Sequence, residues 1–360
     1  MFTIMNKKIF LLKFNTYFFI ITLNLFNIFF SLCTSYAQSF DIKNIQISKE
    51  FSEDFKKIDV INYGFNEAFV NLISEILTSN DQDKINKISL PIVKTMIESF
   101  SIQEEKFIDN IYYVSLDVSF NKKNVYNFLE KNNIFPSLSK KVKVLFIPIL
   151  IEENNNDLIL FSENEFYNKW IREKNKNDQL EYVLPSEDLE DIILIKSKYK
   201  DLENFDFKQI IDKYSLDNFI ISLIYRSQSK TSVLSKIFLS EKLILDNQEF
   251  SKNYTSEQIV KELKVKYEDF WKTKNQINTS IKLPLIISID LNKKNKIDNF
   301  ENIISNFDLV PNYYVSKIDN EKIYYTIIFN GTSTEFISLF SNFGQKLDTK
   351  KKIWDLKWKN

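Results

Sequence analysis

The spacing of apolar side chains predicts both helices and strands in the first region, residues 38–139. Apolar residues recur every three or four positions between Phe65 and Leu77, which predicts one amphipathic helix. Apolar and polar residues alternate over 114–120, which predicts a strand with one wet face. A short helix over 122–131 follows. We therefore predict a small domain of helices packed on an antiparallel sheet.

The second region, residues 140–280, has a different pattern. Residues 142–151 and 219–225 are nearly continuous apolar runs, which are typical of strands buried on both faces. A short strand is predicted over 181–184. Helical patterns separate these strands or end the region, over residues 163–174, 186–199, 206–214 and 256–277. Strands that alternate with helices indicate βαβ units, so we predict a mainly parallel α/β domain.

The third region, residues 281–360, predicts the order βαββαβ. The predicted strands cover residues 283–291, 313–318, 323–329 and 353–358, with helices around 300–307 and 336–343. Gly344 follows the second helix, where a left-handed cap is expected. This order is that of the ferredoxin-like fold. The fold class predicted for the whole chain is therefore a multi-domain mixture of α+β and α/β.

Residues 1–37 have the order of a secretory signal. Lysines precede an apolar run from about residue 17 to 32, and the small residue Ala37 then marks a cleavage site before Gln38. This interpretation predicts a periplasmic protein. The alternative is a retained anchor, because residues 9–32 are long enough to span a bilayer. The protein would then be held in the inner membrane and face the periplasm.

Composition excludes many catalytic and binding classes. The chain has no histidine, three glycines and one cysteine, Cys33, which lies inside the signal. Catalytic triads with histidine, histidine or cysteine zinc sites, phosphate loops and dinucleotide fingerprints are therefore excluded from the mature chain. Net charge is zero and there are only two arginines, Arg172 and Arg226. We therefore predict no cofactor, no metal and no nucleic-acid partner.

Two groups of residues are candidates for interaction. Glu187, Asp188 and Asp191 belong to an acidic cluster, and Glu187 and Asp191 would share a helix face that could hold calcium. The simpler interpretation is a helix capped by Ser186, with acidic residues in its first turn. Another acidic group, Glu152, Glu153 and Asp157, follows the first apolar strand, either at a ligand position of α/β sheets or in a solvated turn.

The second candidate is the pair Trp170 and Arg172. These two residues could stack on a sugar or a peptide. Alternatively, Trp170 anchors an amphipathic helix in the core, and Arg172 is its exposed neighbour.

Six short segments carry a family resemblance: residues 68–77, 114–129, 142–151, 182–192, 214–223 and 339–356. They resemble an uncharacterised proteobacterial periplasmic family, domain of unknown function twenty sixty-six. The middle region also looks like the amino-terminal domain of the Tol-system protein TolB. The resemblance implies an envelope location and a multi-domain architecture, and it implies no activity.

Two functions are consistent with these patterns. The first is a non-enzymatic periplasmic module that binds envelope or periplasmic proteins. It is motivated by export and by the missing catalytic residue types. The second is a carboxylate-dependent hydrolase acting on cell-wall glycan, motivated by location and by the 48 acidic residues.

Overall fold

The computed structural model describes residues 39–85, 87–173, 177–292, 294–307 and 309–358. The predicted signal over 1–37, with its cleavage between Ala37 and Gln38, lies outside them. Residues 39–360 form one compact unit, whose described part contains ten α-helices and three β-sheets. A mixed α and β class is thus confirmed. Within the described ranges no helix has both the length and the apolar character needed to cross a membrane.

The first sheet is antiparallel and has the order β1-β3-β2. Its strands are β1 (Ser39–Glu50), β2 (Ile97–Ile108) and β3 (Ile111–Asn121). The accompanying helices are α1 (Lys57–Ile76), α2 (Ser79–Ile85), α3 (Leu90–Met96) and α4 (Lys122–Lys131). The apolar stripe of α1 covers one face of this sheet. A Cβ placed on Gly64 would lie 2.5 Å from Leu116, so the helix packs unusually close to β3.

Two strands of this sheet have no simple alternation in the sequence. In β1 the pairing register shifts between Ile42 and Ile45, and Asn44 has a left-handed φ of 58°. In β2 the register shifts at two points, near Glu98 and near Gln103. Each bulge moves the following side chains to the opposite face. A period-two search therefore misses both strands.

The middle sheet has the order β5-β4-β7-β8-β9, and β6 pairs with the beginning of β4. Its strands are β4 (Val142–Glu152), β5 (Asp157–Ile159), β6 (Leu180–Val183), β7 (Phe219–Arg226), β8 (Lys230–Leu239) and β9 (Lys242–Ser251). Its helices are α5 (Glu165–Arg172), α6 (Leu189–Ser197), α7 (Lys208–Asp212) and α8 (Ser256–Lys274). Helices α5 and α8 contribute to the core on one sheet face, and α6 and α7 to the core on the other.

The prediction of a mainly parallel middle sheet is wrong. Only the β4–β6 and β4–β7 pairs are parallel, whereas β4–β5, β7–β8 and β8–β9 are antiparallel. The cause is a set of tight turns that reverse the chain directly. Ser240 and Glu241, between β8 and β9, have φ values of 47° and 64°. Two consecutive left-handed residues form a type I′ hairpin turn without any glycine.

The third sheet has the order β11-β12-β10-β14-β13. Its strands are β10 (Leu283–Asp290), β11 (Asn312–Ile318), β12 (Lys322–Phe329), β13 (Gln345–Asp348) and β14 (Trp354–Trp358). Its helices are α9 (Lys294–Ser305) and α10 (Ser333–Asn342). The predicted order βαββαβ lacks one strand, β13, which lies between α10 and the closing strand β14. Strand β14 pairs with β13 in antiparallel orientation and with β10 in parallel orientation. Gly344, with φ 72°, turns the chain from α10 directly into β13.

Candidate functional site

Trp170 is an anchor of the middle core. Its side chain is 2% exposed and stacks on Phe146, with 3.8 Å between the ring centres. Its indole Nε1 is buried without a hydrogen-bond partner. Arg172 lies two residues later and is exposed. Residues two positions apart on a helix do not share a face, so Trp170 and Arg172 do not form one surface that could stack on a sugar or a peptide. Trp170 instead anchors the helix in the core, with Arg172 as its exposed neighbour.

The acidic cluster consists of hydrogen bonds and ion pairs within the protein. Helix α6 begins at Leu189, and its N-cap is Asp188, which accepts the N–H of Glu190 at 2.8 Å. The prediction of a Ser186 cap is therefore wrong. Because α6 begins after Glu187, that residue does not share a helix face with Asp191. Glu187 instead accepts the hydroxyl of Ser162 at 2.9 Å.

The remaining two acidic residues bind one lysine. Lys213 Nζ lies 2.8 Å from Asp188 and 2.7 Å from Asp191, whose side chain is buried. These hydrogen bonds raise the pKa of Lys213. In the described part of the chain, no group of three His, Cys, Asp or Glu side chains could hold a metal ion. The cluster therefore attaches α6 to the segment that follows α7.

In the second acidic group, Glu152 ends β4, the exposed Glu153 lies in the turn, and Asp157 begins β5. Glu152 and Asp157 are opposite each other in the backbone register of the β4–β5 hairpin. The turn of this hairpin includes Asn156, which has a φ of 52°. Glu152 also binds the guanidinium of Arg226. This arrangement agrees with the alternative of a solvated turn.

Arg226 joins Glu152 to a second carboxylate at the carboxyl ends of β4 and β7. It also binds Glu165, which accepts the hydroxyl of Ser256 at 2.5 Å and pairs with Lys169 at 2.7 Å. Burial by itself raises the pKa of Glu165, but the hydrogen bonds from Lys169, Ser256 and Arg226 lower it to about 2. Glu165 is therefore ionised at neutral pH.

A groove of about 1000 Å³ lies between α5 and β6. We refer to it as the α5–β6 groove. Its aromatic and apolar lining consists of Tyr167, Trp170, Ile171, Leu180, Tyr182 and Leu184. The hydroxyl of Tyr182, like the Nε1 of Trp170, is buried without a hydrogen-bond partner. The rest of the lining is charged and consists of Lys141, Glu173, Asp178, Glu181 and Lys264. A concavity that combines apolar side chains with polar groups is a usual form of binding site.

Both ends of α5 are fixed beside the sheet. Asn164 is buried at the N-cap, where it accepts the N–H of Phe166 at 2.9 Å and donates to the carbonyl of Pro148 at 3.1 Å. At the carboxyl end, Lys264 of α8 donates to the carbonyl of Trp170 at 3.1 Å. A cation there satisfies terminal carbonyls and interacts favourably with the helix dipole.

Lys264 also borders the aromatic lining. Its ammonium lies 5.2 Å from the centre of the Trp170 ring and 5.4 Å from that of Tyr182. The two rings pack edge to face at 5.1 Å. Lys264 therefore holds the wall of the α5–β6 groove through both cation–π contacts and hydrogen bonds.

Strand β6 presents a backbone edge to the groove. Val142 donates its N–H to the carbonyl of Gln179 at 2.8 Å, which places the N–H of Leu180 on the side away from β4. In a parallel ladder alternate residues bond to the same neighbour, so the N–H of Tyr182 also lies on the side away from β4. Among the described strands, none pairs with that side of β6.

Helix α8 covers the beginning of this edge with a buried charge. Glu268 accepts the N–H of Gln179 at 3.1 Å and that of Leu180 at 2.8 Å. Burial raises the pKa of Glu268, although these two hydrogen bonds oppose the shift. Lys272, one turn later, donates to the carbonyl of Ser74 at 2.6 Å. Burial lowers the pKa of Lys272, and the charge of Glu268 opposes this effect.

Lys264, Glu268 and Lys272 form one buried polar stripe along α8. Their spacing of four residues places them on one helix face, a signal present in the sequence but indistinguishable from a solvated face. Sequence reasoning therefore missed all three. The stripe contributes to contacts between the first and middle regions, because Ser74 lies in α1 and Lys272 in α8.

Comparison of the chain with models of protein families and with curated proteins finds no match. The resemblance to domain of unknown function twenty sixty-six, and to the amino-terminal domain of TolB, therefore stays a prediction.

Proposed function

We propose that the protein is exported to the periplasm and acts there as a non-enzymatic module that binds other envelope proteins. The docking surface in this proposal is the α5–β6 groove. The observation that carries it is the combination of an apolar lining with a strand edge that has no neighbouring strand among the described residues. An open strand edge beside a hydrophobic groove suits the capture of another polypeptide.

The alternative, a carboxylate-dependent hydrolase of cell-wall glycan, gains no support from the charges at the strand ends. Such an enzyme needs one protonated carboxyl group and one ionised carboxylate near the bond that breaks. Glu152 and Glu165 are close together, but both bind Arg226. With a pKa of about 2, Glu165 is not a proton donor at neutral pH.

A site-specific photo-crosslinker tests the proposal. Ile171 is 45% exposed and lines the groove, whereas Ile193 is 61% exposed and lies on α6. Each isoleucine is replaced in turn by a photoreactive phenylalanine analogue in the producing cell. We expect irradiation to join a defined envelope protein to position 171 and not to position 193.

Purified components complete this test. The partner identified at position 171 should bind the wild-type protein and the Ile193→Lys variant with equal affinity. Its affinity for Ile171→Lys should be at least about tenfold lower, corresponding to about 1.4 kcal/mol. Equal cross-linking at both positions, or equal binding to both variants, would contradict the assignment of the groove.

A further inference from the structure

We propose that the occupant of the α5–β6 groove is an extended peptide segment that adds to β6 as a further strand and carries a basic side chain beside apolar ones. This inference rests on the proposed function and deepens it. It assigns both the backbone geometry and the side-chain chemistry of the partner segment.

The backbone of β6 carries the first step. Glu268 accepts the N–H groups of Gln179 and Leu180, so a carboxylate takes the place of a neighbouring strand where β6 begins. Beyond that point the N–H of Tyr182 lies on the same side of β6, and no described strand pairs with it. A segment bound there gains main-chain hydrogen bonds, which supply affinity without requiring a particular sequence.

Side-chain alternation gives the apolar requirement. The side chains of Tyr182 and Leu184 line the groove together with Ile171 of α5. In a strand added beside β6, every second side chain would lie on this same face. Those side chains would contact the lining of the groove, so apolar residues are favoured at alternate positions.

The charges around the groove give the basic requirement. Three acidic residues line it, Glu173, Asp178 and Glu181, against two lysines, Lys141 and Lys264. Lys264 already donates to the carbonyl of Trp170. Glu173 also lies 4.0 Å from Lys261, so its charge is already paired. The exposed Glu181 lies on β6 itself, where a lysine or arginine of an added strand would meet it.

A glycan chain is a less suitable occupant for a geometric reason. Sugars stack on exposed aromatic faces, whereas the ring of Trp170 already stacks on Phe146 and contacts Tyr182 through its edge. The Trp170 side chain is almost completely buried. The observations therefore favour a peptide, and glycan binding becomes an outcome of the test.

The test uses the full exported protein and a library of random twelve-residue peptides. Peptides selected on the wild-type protein are synthesised, and their dissociation constants are measured by fluorescence anisotropy. We expect the selected sequences to share a basic residue next to alternating apolar residues. Binding to Ile171→Lys should be at least about tenfold weaker, and binding to Ile193→Lys should be unchanged. Circular dichroism confirms that both variants are folded.

Backbone methylation tests the added strand itself. Two versions of one selected peptide carry N-methyl groups on alternate residues, one in each register. Because a strand bonds to one neighbour through alternate residues, one version should lose binding at least about tenfold and the other should keep it. Replacing the basic residue of the peptide by norleucine should weaken its binding to the wild-type protein. The same replacement should weaken binding to the Glu181→Lys variant by a smaller factor.

The results separate this inference from the proposed function. If both methylated versions bind like the parent peptide, strand addition is overturned, while the groove remains the docking surface. If binding survives Ile171→Lys, the groove is overturned as the site. If no peptide is enriched while a cell-wall glycan fragment binds the protein, the peptide occupant is overturned, and the cross-linking at Ile171 decides separately whether a protein partner exists.

Discussion

The carboxylate of Glu268 lies 2.8 Å from the backbone N–H of Leu180 and accepts its hydrogen bond. A buried carboxylate on α8 thus satisfies an edge donor of β6 that a neighbouring strand would otherwise bind. A second backbone N–H, that of Gln179, completes the interaction at 3.1 Å. Each carboxylate oxygen of Glu268 accepts one of these two N–H groups, so position 268 requires two acceptor atoms.

This requirement predicts a measurable effect of Glu268→Gln. The amide would present its NH₂ group to one of the two N–H donors, and the unpaired donor should cost about 1–3 kcal/mol of unfolding free energy. Urea denaturation measures the difference. Glu262→Gln, an exposed position of the same helix, is the matched control and should change stability by less than about 0.5 kcal/mol. Equal stabilities of the two variants would show that the N–H groups find other acceptors.

The interactions of Glu165 predict that the unfolding free energy depends on pH. Its pKa is about 2 in the folded protein, below the ordinary value of 4.5. A depressed carboxyl pKa adds stability above pH 4.5, and this contribution is lost as pH falls from 4.5 towards 2. Its side chain is 36% exposed, so after solvent screening we expect about 1 kcal/mol.

The corresponding measurement compares wild type with Glu165→Gln from about pH 7 to about pH 3. The difference in unfolding free energy should be largest at neutral pH and should shrink below pH 4.5. A difference that is independent of pH would contradict the role of ionised Glu165.

The first turn of α6 distinguishes two candidate caps. Asp188 accepts the N–H of Glu190 and pairs with Lys213, so Asp188→Ala should lower stability by about 1 kcal/mol or slightly more. Ser186 lies outside the helix, and Ser186→Ala should have an effect below about 0.5 kcal/mol. Thermal denaturation of the two variants makes the comparison. A larger loss for Ser186→Ala would restore the cap that the sequence alone suggests.

We expect alanine and phenylalanine at position 170 to lower the unfolding free energy by different amounts. Trp170→Ala removes a stacked core ring and should cost about 3–5 kcal/mol. Trp170→Phe keeps an aromatic ring against Phe146 and removes an N–H that has no partner, so it should cost at most about half as much. Chemical denaturation checks both values. If phenylalanine costs as much as alanine, the Nε1 makes a stabilising hydrogen bond.

Export predicts a defined mature terminus. The intact mass of the protein purified from its producing cell should correspond to a chain that begins at Gln38. A chain that retains Met1 or Met5 would instead indicate an uncleaved anchor. The search for partners would then move to the membrane surface.

The accuracy of the sequence predictions follows the strength and length of each pattern. Helix α8 and strands β4 and β7 are predicted within a few residues, because long periodic runs of apolar residues specify them locally. Strand β13 is missed because Leu347 is the one apolar residue among its four, which gives no alternation. Strand β2 is missed because its bulges interrupt the period and its side chains are mostly exposed.

The sequence by itself determined the local elements, the mixed α and β class and the chemistries that the chain lacks. Only the tertiary structure decided which strands are neighbours and which charges are buried. Lys264 has the same chemistry as the exposed Lys261 three residues earlier, yet Lys264 contacts Trp170, 94 residues away in the chain. Burial depends on residues distant in sequence, so the α5–β6 groove and the edge covered by Glu268 could be recognised only after the chain was folded.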